Sequence, residues 1–208
     1  REGYVSYFDM DRNRDRVASG VTYDGTGLLT AGDGSRWRTL DLRASHTPDS
    51  LASNTHTLSF GYHYDGYRLD NATYNLAQWR TGGPGSLTTS NGGSTQTQAI
   101  YVQDAWQLDE RWRLTLGARY EQWRAFGGSR ATATAAVGYP ERDESHTSPK
   151  ASLAWTVSDS VVMRLSGARA YRFPTVNELF QGTFNGIALI NNDPNLKPEN
   201  DLSRELST

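Results

Sequence analysis

The chain has 208 residues, a formal net charge of −2 at pH 7 and no cysteine. The lack of cysteine excludes disulfides and thiolate metal sites, and the nearly neutral charge offers no basic surface for nucleic acid. Only 36% of the residues are apolar, and no stretch approaches the run of about 18 apolar residues that a membrane-spanning helix requires. A transmembrane β-barrel is compatible with this composition, because its strands are apolar on one face only.

Alternating apolar and polar residues predict strands along the whole chain. They are predicted at about 4–10, 37–45, 55–67, 96–107, 112–124, 148–157 and 161–171, with a further strand starting at 201. The intervening segments 11–35, 68–95, 125–147 and 172–200 are rich in glycine, asparagine or proline and are predicted to be loops.

The clearest pattern lies in residues 98–123, where the polar turn 108–111 joins two strands. One face of the second strand has an aromatic residue at each end and aliphatic residues between: Trp112, Leu114, Leu116, Ala118 and Tyr120. Tryptophan and tyrosine are favoured at the two headgroup levels of a bilayer, so this strand is predicted to cross a membrane. In the strand before it, 99–106, both faces mix apolar and polar residues, and the pattern does not indicate which face meets lipid.

The same unit recurs along the chain. An Ala-Trp pair at 105–106 returns at 154–155, and Gly-Ala-Arg at 117–119 returns at 167–169. The connectors 46–54, 108–111 and 158–160 are short, and they alternate with the long loops. This alternation is typical of outer-membrane barrels. The fold is therefore predicted to be all-β, an antiparallel up-and-down transmembrane β-barrel with about eight strands in this chain.

Two segments near the end resemble a known family. Residues 170–182 read AYRFPTVNELFQG, here called the first box, and residues 192–199 read NDPNLKPE, the second box. Both are similar to sequences in TonB-dependent outer-membrane receptors. The matching positions are Tyr171, Arg172, Pro174, Glu178, Leu179 and Phe180 in the first box, and Pro194, Asn195, Leu196, Pro198 and Glu199 in the second.

The resemblance implies a barrel of about 22 strands in the bacterial outer membrane, plugged by an N-terminal domain. Residues 1–208 are then expected to be a segment of that barrel, with the plug domain absent. The implied function is binding and TonB-dependent import of a ferric siderophore or similar chelate. The implied partners are the TonB complex, reached through the plug, that ligand, and outer-membrane lipid. No nucleic acid, cofactor, metal site or enzymatic activity is expected.

The loops are expected to carry the ligand contacts. The candidates are Tyr67, Tyr74, Trp79, Arg172, Phe173, Asn191 and Asn192. Arg172 has two interpretations: it contacts an anionic ligand, or it pairs with Glu178 and folds the first box back over the barrel wall. The Asn and Asp residues around Pro194 likewise either contact ligand or form a turn.

Three alternative functions remain open. The resemblance implies that haem-transporting members of the family place a histidine between the two boxes to bind the haem iron. This sequence has none there, which disfavours haem transport, although His63 is a possible ligand on a polar strand face. A barrel enzyme is disfavoured because no Ser, His or Asp sits in a motif with a mechanism. A passive porin is disfavoured by the two boxes, and uptake that depends on TonB would distinguish a receptor from it.

Overall fold

The computed structural model describes residues 2–20, 25–48, 55–181, 183–185, 188–190 and 193–208. Most of them form β-strands, and α1 (Val176–Phe180) is a single short helix among the described residues. The strands are β1 (Glu2–Asp9), β2 (Arg14–Ala18), β3 (Gly27–Ala31), β4 (Arg36–His46), β5 (Thr55–Leu76), β6 (Leu87–Gln107), β7 (Trp112–Thr132), β8 (Ala136–Gly138), β9 (Arg142–Ser158), β10 (Val161–Arg172), β11 (Thr183–Asn185), β12 (Ala188–Ile190) and β13 (Glu199–Ser207). No helix in the described part of the chain is long and apolar enough to cross a membrane.

Eight strands form one antiparallel sheet in the order β1-β4-β5-β6-β7-β9-β10-β13. Three short strands extend it, because β3 pairs with β2 and β5, and β8 pairs with β7. Strands β11 and β12 form a separate pair. The path is a simple meander with tight turns at 108–111 and 159–160, which confirms the predicted up-and-down architecture. Of the connector predicted at 46–54, residues 49–54 lie outside the described residues.

The strand register confirms the predicted alternation of apolar and polar positions. Tyr62 pairs directly with Ile100, and Ile100 with Tyr120. Directly paired residues point to the same side of a sheet, so these three side chains share one face. This apolar face is exposed in the chain, with Ile100 60% and Leu116 50% accessible. The opposite, polar face carries charged residues of the same strands.

The register also assigns the strand that its own sequence left ambiguous. Val102 in β6 pairs with Phe60 on one side and Ala118 on the other, so it belongs to the apolar face. Tyr101 pairs with Gly61 and Arg119 on the polar face. The two faces of β6 are thus identified by the residues with which it pairs in β5 and β7, and not by its own mixed sequence.

Stacked aromatic pairs mark the short-turn end of the sheet. Trp112 stacks on Trp155 with ring centroids 5.3 Å apart, and His56 stacks on Trp106 at 4.9 Å. Eight residue steps of about 3.4 Å separate Trp112 from Tyr120, which spans about 27 Å along the strand. That length matches the apolar band of about 25 Å that outer-membrane barrels present to lipid.

Several predicted loops are wrong, because the strands continue far beyond this band. β5 has 22 residues and β6 and β7 have 21 each, so most of the predicted loops 68–95 and 125–147 is strand. The real turns lie at 77–86 and 133–141, the second interrupted by β8. The predicted loop 11–35 contains the β2–β3 hairpin, and 172–200 contains α1. Cross-strand pairing at the long-loop end overrides the glycines that indicated loops.

Candidate functional site: the polar face and the two boxes

The polar face is lined by a network of paired charges. His63 lies between two carboxylates, with Nδ1 2.7 Å from Asp41 and Nε2 2.8 Å from Asp65. Further along the same face Arg119 donates to Glu121 at 2.8 Å, and Glu121 is only 7% exposed. Both ring nitrogens of His63 therefore have a partner. Among the described residues, no group of three or more His, Asp or Glu side chains is arranged to hold a metal ion.

The first box folds onto this polar face as helix α1. Thr175 caps the helix: the Glu178 N–H donates to the Thr175 hydroxyl at 3.3 Å, and the Thr175 N–H donates to the Glu178 carboxylate at 2.8 Å. These bonds satisfy two donors that a helix start would otherwise leave unpaired. The buried cluster that α1 forms with β7 is Trp123, Ala125, Val176, Leu179 and Phe180.

Two glycines of the wall form the socket for Phe180. A Cβ added to Gly93 would lie 2.4 Å from Phe180 Cδ2, and one added to Gly128 would lie 2.3 Å from Phe180 Cε1. Carbon atoms do not approach so closely, so only glycine at these two positions admits the ring. The side chain of Phe180 is 5% exposed, and the Tyr139 ring stacks at 6.0 Å from it.

Aromatic stacking attaches the start of the first box to the wall. The Phe173 ring stacks on Trp123 with centroids 5.8 Å apart and lies 5.7 Å from His146. His146 also stacks on Tyr171 at 4.1 Å. These contacts give Phe173 and Tyr171 a packing role.

Arg172 joins the two boxes. Its guanidinium holds Glu199 of the second box with two hydrogen bonds, 2.6 and 2.9 Å, and reaches Glu178 of the first box at 3.1 Å. The Arg172–Glu178 pairing considered from the sequence is thus present. Hydrogen bonds from Arg172 lower the pKa of Glu199. The pKa of Glu178 is lowered mainly by the Thr175 N–H, with further contributions from the Thr175 hydroxyl and Arg172.

A second arginine, Arg142 of β9, holds the second box. Its Nη1 donates to the carbonyls of Pro194 and Leu196, both at 2.9 Å, and its guanidinium lies over the Trp123 ring. The Asn195 N–H donates to the Asp193 carboxylate at 2.8 Å, which closes the turn expected for Asn and Asp next to proline.

The other predicted ligand contacts do not converge on one place. Tyr67 and Tyr74 lie seven positions apart in the continuous strand β5, and therefore on opposite faces of the sheet. Tyr67 is on the polar face and 41% exposed, and partial burial raises its pKa. Trp79 lies in the turn 77–86, where a Cβ on Gly27 of β3 would touch it. Asn191 and Asn192 lie outside the described residues.

A cleft of about 370 Å³ brings one predicted residue, Tyr67, together with residues that the sequence did not indicate. It lies between α1 and the long-loop end of β4 and β5, next to Trp37 and Asn71. Asn177 and Gln181 of the first box form its other side. The sequence signal available for this grouping was the alternation that puts Trp37, Tyr67 and Asn71 on polar positions of their strands.

The chain has the fold of a segment of an outer-membrane β-barrel wall. Its antiparallel strands present one apolar side to lipid and extend far beyond the lipid band at one end, and a loop folds onto the opposite, inner side. The sequence profile of the family described as TonB dependent receptor-like, beta-barrel, matches residues 2–208. The chain belongs to this family of outer-membrane receptors and transporters, which are not enzymes.

Individual relatives agree with this assignment. The iron-regulated outer membrane virulence protein of Vibrio cholerae serotype O1 (strain ATCC 39315 / El Tor Inaba N16961) is 29% identical over 154 residues, which are 73% of this chain and 20% of the relative. The protein of the same name from strain ATCC 39541 / Classical Ogawa 395 / O395 is 28% identical over the same length. The chain thus spans about a fifth of these relatives.

A solved structure shows the same fold. The unliganded ferric citrate transporter FecA superposes with a TM-score of 0.61 at 16% identity, covering 98% of this chain and 28% of FecA.

Proposed function

We propose that the protein containing this chain is an outer-membrane receptor that binds a ferric chelate, for which a ferric siderophore is our specific candidate, and imports it. The observation that carries this proposal is the family match over residues 2–208. Import is driven through TonB, which acts on a plug domain inside the complete barrel. Residues 1–208 supply part of the wall around that plug, and outer-membrane lipid surrounds the apolar face.

Iron as the cargo is supported by the relatives. Two of them are named as iron-regulated outer membrane proteins, and FecA transports ferric citrate. The geometry of the long-loop end also suits ligand capture, because strands that extend beyond the lipid band carry polar and aromatic side chains towards the barrel interior.

Haem is a weaker candidate than a chelate. The sequence has no histidine between the two boxes, and both ring nitrogens of His63 are within 2.8 Å of carboxylates. Both edges of the His63 ring are thus occupied by carboxylates, so neither nitrogen faces an open position for haem iron.

Growth on defined iron sources tests the proposal. The full-length gene is expressed in a Gram-negative strain that lacks its own iron-chelate receptors, and the cells are supplied with one ferric chelate at a time. Growth on at least one chelate, absent from cells with empty vector, is expected. Growth on haem alone would replace the chelate by haem as cargo, and no growth on any iron source would refute iron import.

A further inference from the structure

On the lipid-facing side, the apolar band of β1, β4 and β5 ends in a row formed by Val5, Leu40 and Tyr64, which pair directly across the three strands. Alternate residues of a strand point to the same side. Arg38 and Arg36, two and four positions beyond Leu40 towards the long-loop end, therefore also lie on this outer side. Steps of about 3.4 Å along strands tilted by about 35–45° place them about 5 and 10 Å above the apolar row. The headgroup layer of a bilayer is about 5–8 Å thick, so both arginines lie at headgroup level.

Two arginines stand side by side at this level. Arg36 faces Arg68 directly across the β4–β5 pair, and like charges in such positions repel each other. Arg68 pairs with Asp70 at 3.3 Å, whereas Arg36 makes no ion pair within the described part of the chain. Asp9, the cross-strand neighbour of Arg36, instead accepts a hydrogen bond from the Tyr7 hydroxyl at 2.6 Å. An anion bound between the two guanidinium groups would remove their repulsion.

A groove of about 180 Å³, here called the outer groove, lies among the arginines. Its lining includes Arg36, Arg38, Arg68, Tyr64, Gln96 and Phe126. Gly66, the cross-strand neighbour of Arg38, leaves room in it, and the Tyr64 hydroxyl lies 2.7 Å from the place where a Cβ on Gly66 would be. The Tyr64 hydroxyl and the Gln96 amide are hydrogen-bond donors. The outer groove therefore combines neutral donors with guanidinium groups, as a site for an anion with several oxygens requires.

We propose that the outer groove binds the phosphate of a lipid in the outer leaflet of the outer membrane, with Arg36, Arg38 and Arg68 as the charged contacts. Guanidinium groups donate pairs of hydrogen bonds to phosphate oxygens. The occupant is a lipid because the groove continues into the lipid-facing apolar band, so that one molecule places its phosphate in the groove and its acyl chains on Leu40 and Val5. Long barrel loops face the cell exterior, where the outer-leaflet lipid is lipopolysaccharide with its phosphorylated lipid A anchor. This proposal does not depend on which ligand the receptor imports.

Native mass spectrometry of the purified full-length receptor in detergent tests the outer groove. The probes are lipid A with its phosphates and the same lipid A after chemical removal of the phosphates. The wild type is expected to bind the phosphorylated lipid at least tenfold more tightly. Arg36→Gln and Arg68→Gln should each weaken that binding about tenfold, and Tyr64→Phe about threefold, because each removes donors to the phosphate.

Arg113→Gln is the matched control. Arg113 is also an exposed arginine, but it lies on the polar face at the short-turn end, where it pairs with Gln107 and Ala154. Its loss changes the net charge by the same amount and should leave the affinity for lipid A unchanged. All variants are compared at equal amounts of folded receptor.

Three results would overturn the lipid site. One is equal affinity for lipid A with and without phosphates, including no binding of either. The second is binding by Arg36→Gln and Arg68→Gln that is as tight as binding by Arg113→Gln. The third is displacement of lipid A by an equal concentration of inorganic phosphate, which would show an anion site that gains nothing from the apolar band. Each of these results leaves the proposed import function standing.

Discussion

The glycine socket for Phe180 predicts how the first box is held on the wall. Gly128→Ala places a methyl group 2.3 Å from Phe180 Cε1, which no van der Waals contact allows, so the ring must leave the socket. Exposing a phenylalanine side chain that is now 5% accessible costs about 2 kcal/mol. Every 1.4 kcal/mol corresponds to a factor of ten, so local opening of α1 should become about 30-fold more frequent.

Hydrogen exchange of the full-length receptor measures this opening. The informative amides are those of Leu179 and Gln181, which bond to Thr175 and Asn177 within the helix. Gly138→Ala is the control, because a Cβ at Gly138 would meet nothing within 4 Å. Exchange of the helix in Gly128→Ala that equals exchange in Gly138→Ala would refute the socket. In a Phe180→Ala background, Gly128→Ala should add no further effect.

Three other perturbations have defined outcomes. Arg142→Met removes the two hydrogen bonds to the carbonyls of Pro194 and Leu196 and should increase exchange of residues 193–198 by roughly 30-fold, about 2 kcal/mol, whereas Arg164→Met should not. The depressed pKa values of Glu178 and Glu199 mean that their stabilisation is complete above about pH 4.3, the ordinary glutamate pKa, and is lost as the pH falls through the lower folded-state values. Exchange of the two boxes, corrected for the intrinsic rate, should therefore be constant from pH 7 to about 5 and rise in more acidic solution. A profile that is flat down to pH 3 would contradict the stabilisation of the two boxes by the Arg172–Glu178 and Arg172–Glu199 pairs. Leu116→Arg on the apolar face should destabilise the folded barrel by about 2–4 kcal/mol in lipid vesicles, while Thr115→Arg on the polar face should cost much less; equal losses would show that the faces are misassigned.

The sequence predicted the parts of the fold that depend on local alternation. The apolar face of β7, from Trp112 to Tyr120, and the tight turns at 108–111 and 159–160 follow from periods of two and from turn chemistry. The length of the strands could not be predicted from the sequence. The glycines at 92–93 indicated a loop, whereas in the structure they lie inside β6 and leave room for an aromatic ring that packs on the strand. The reason for Gly93 is Phe180, which is 87 positions away in the sequence.

In the candidate site, too, contacts between residues close in sequence could be predicted, and contacts between distant residues could not. The Arg172–Glu178 contact could be considered from the sequence, as one of two interpretations of the first box, because the two residues are only six positions apart. The contacts of Arg172 with Glu199 and of Arg142 with the second box join segments 27 and more than 50 positions apart. No local pattern indicates such pairs. Asp104 and His56, paired at 2.7 Å on the apolar face, were missed for the same reason.

Uptake of radioactive iron by living cells tests the central claim most directly. The full-length protein is expressed in a receptor-deficient strain with and without TonB, and the rate of uptake of the chelate that supports growth is measured over a range of concentrations. The account predicts saturable uptake that disappears without TonB. Uptake that rises linearly with concentration and is unaffected by the loss of TonB would contradict a receptor and indicate a passive pore.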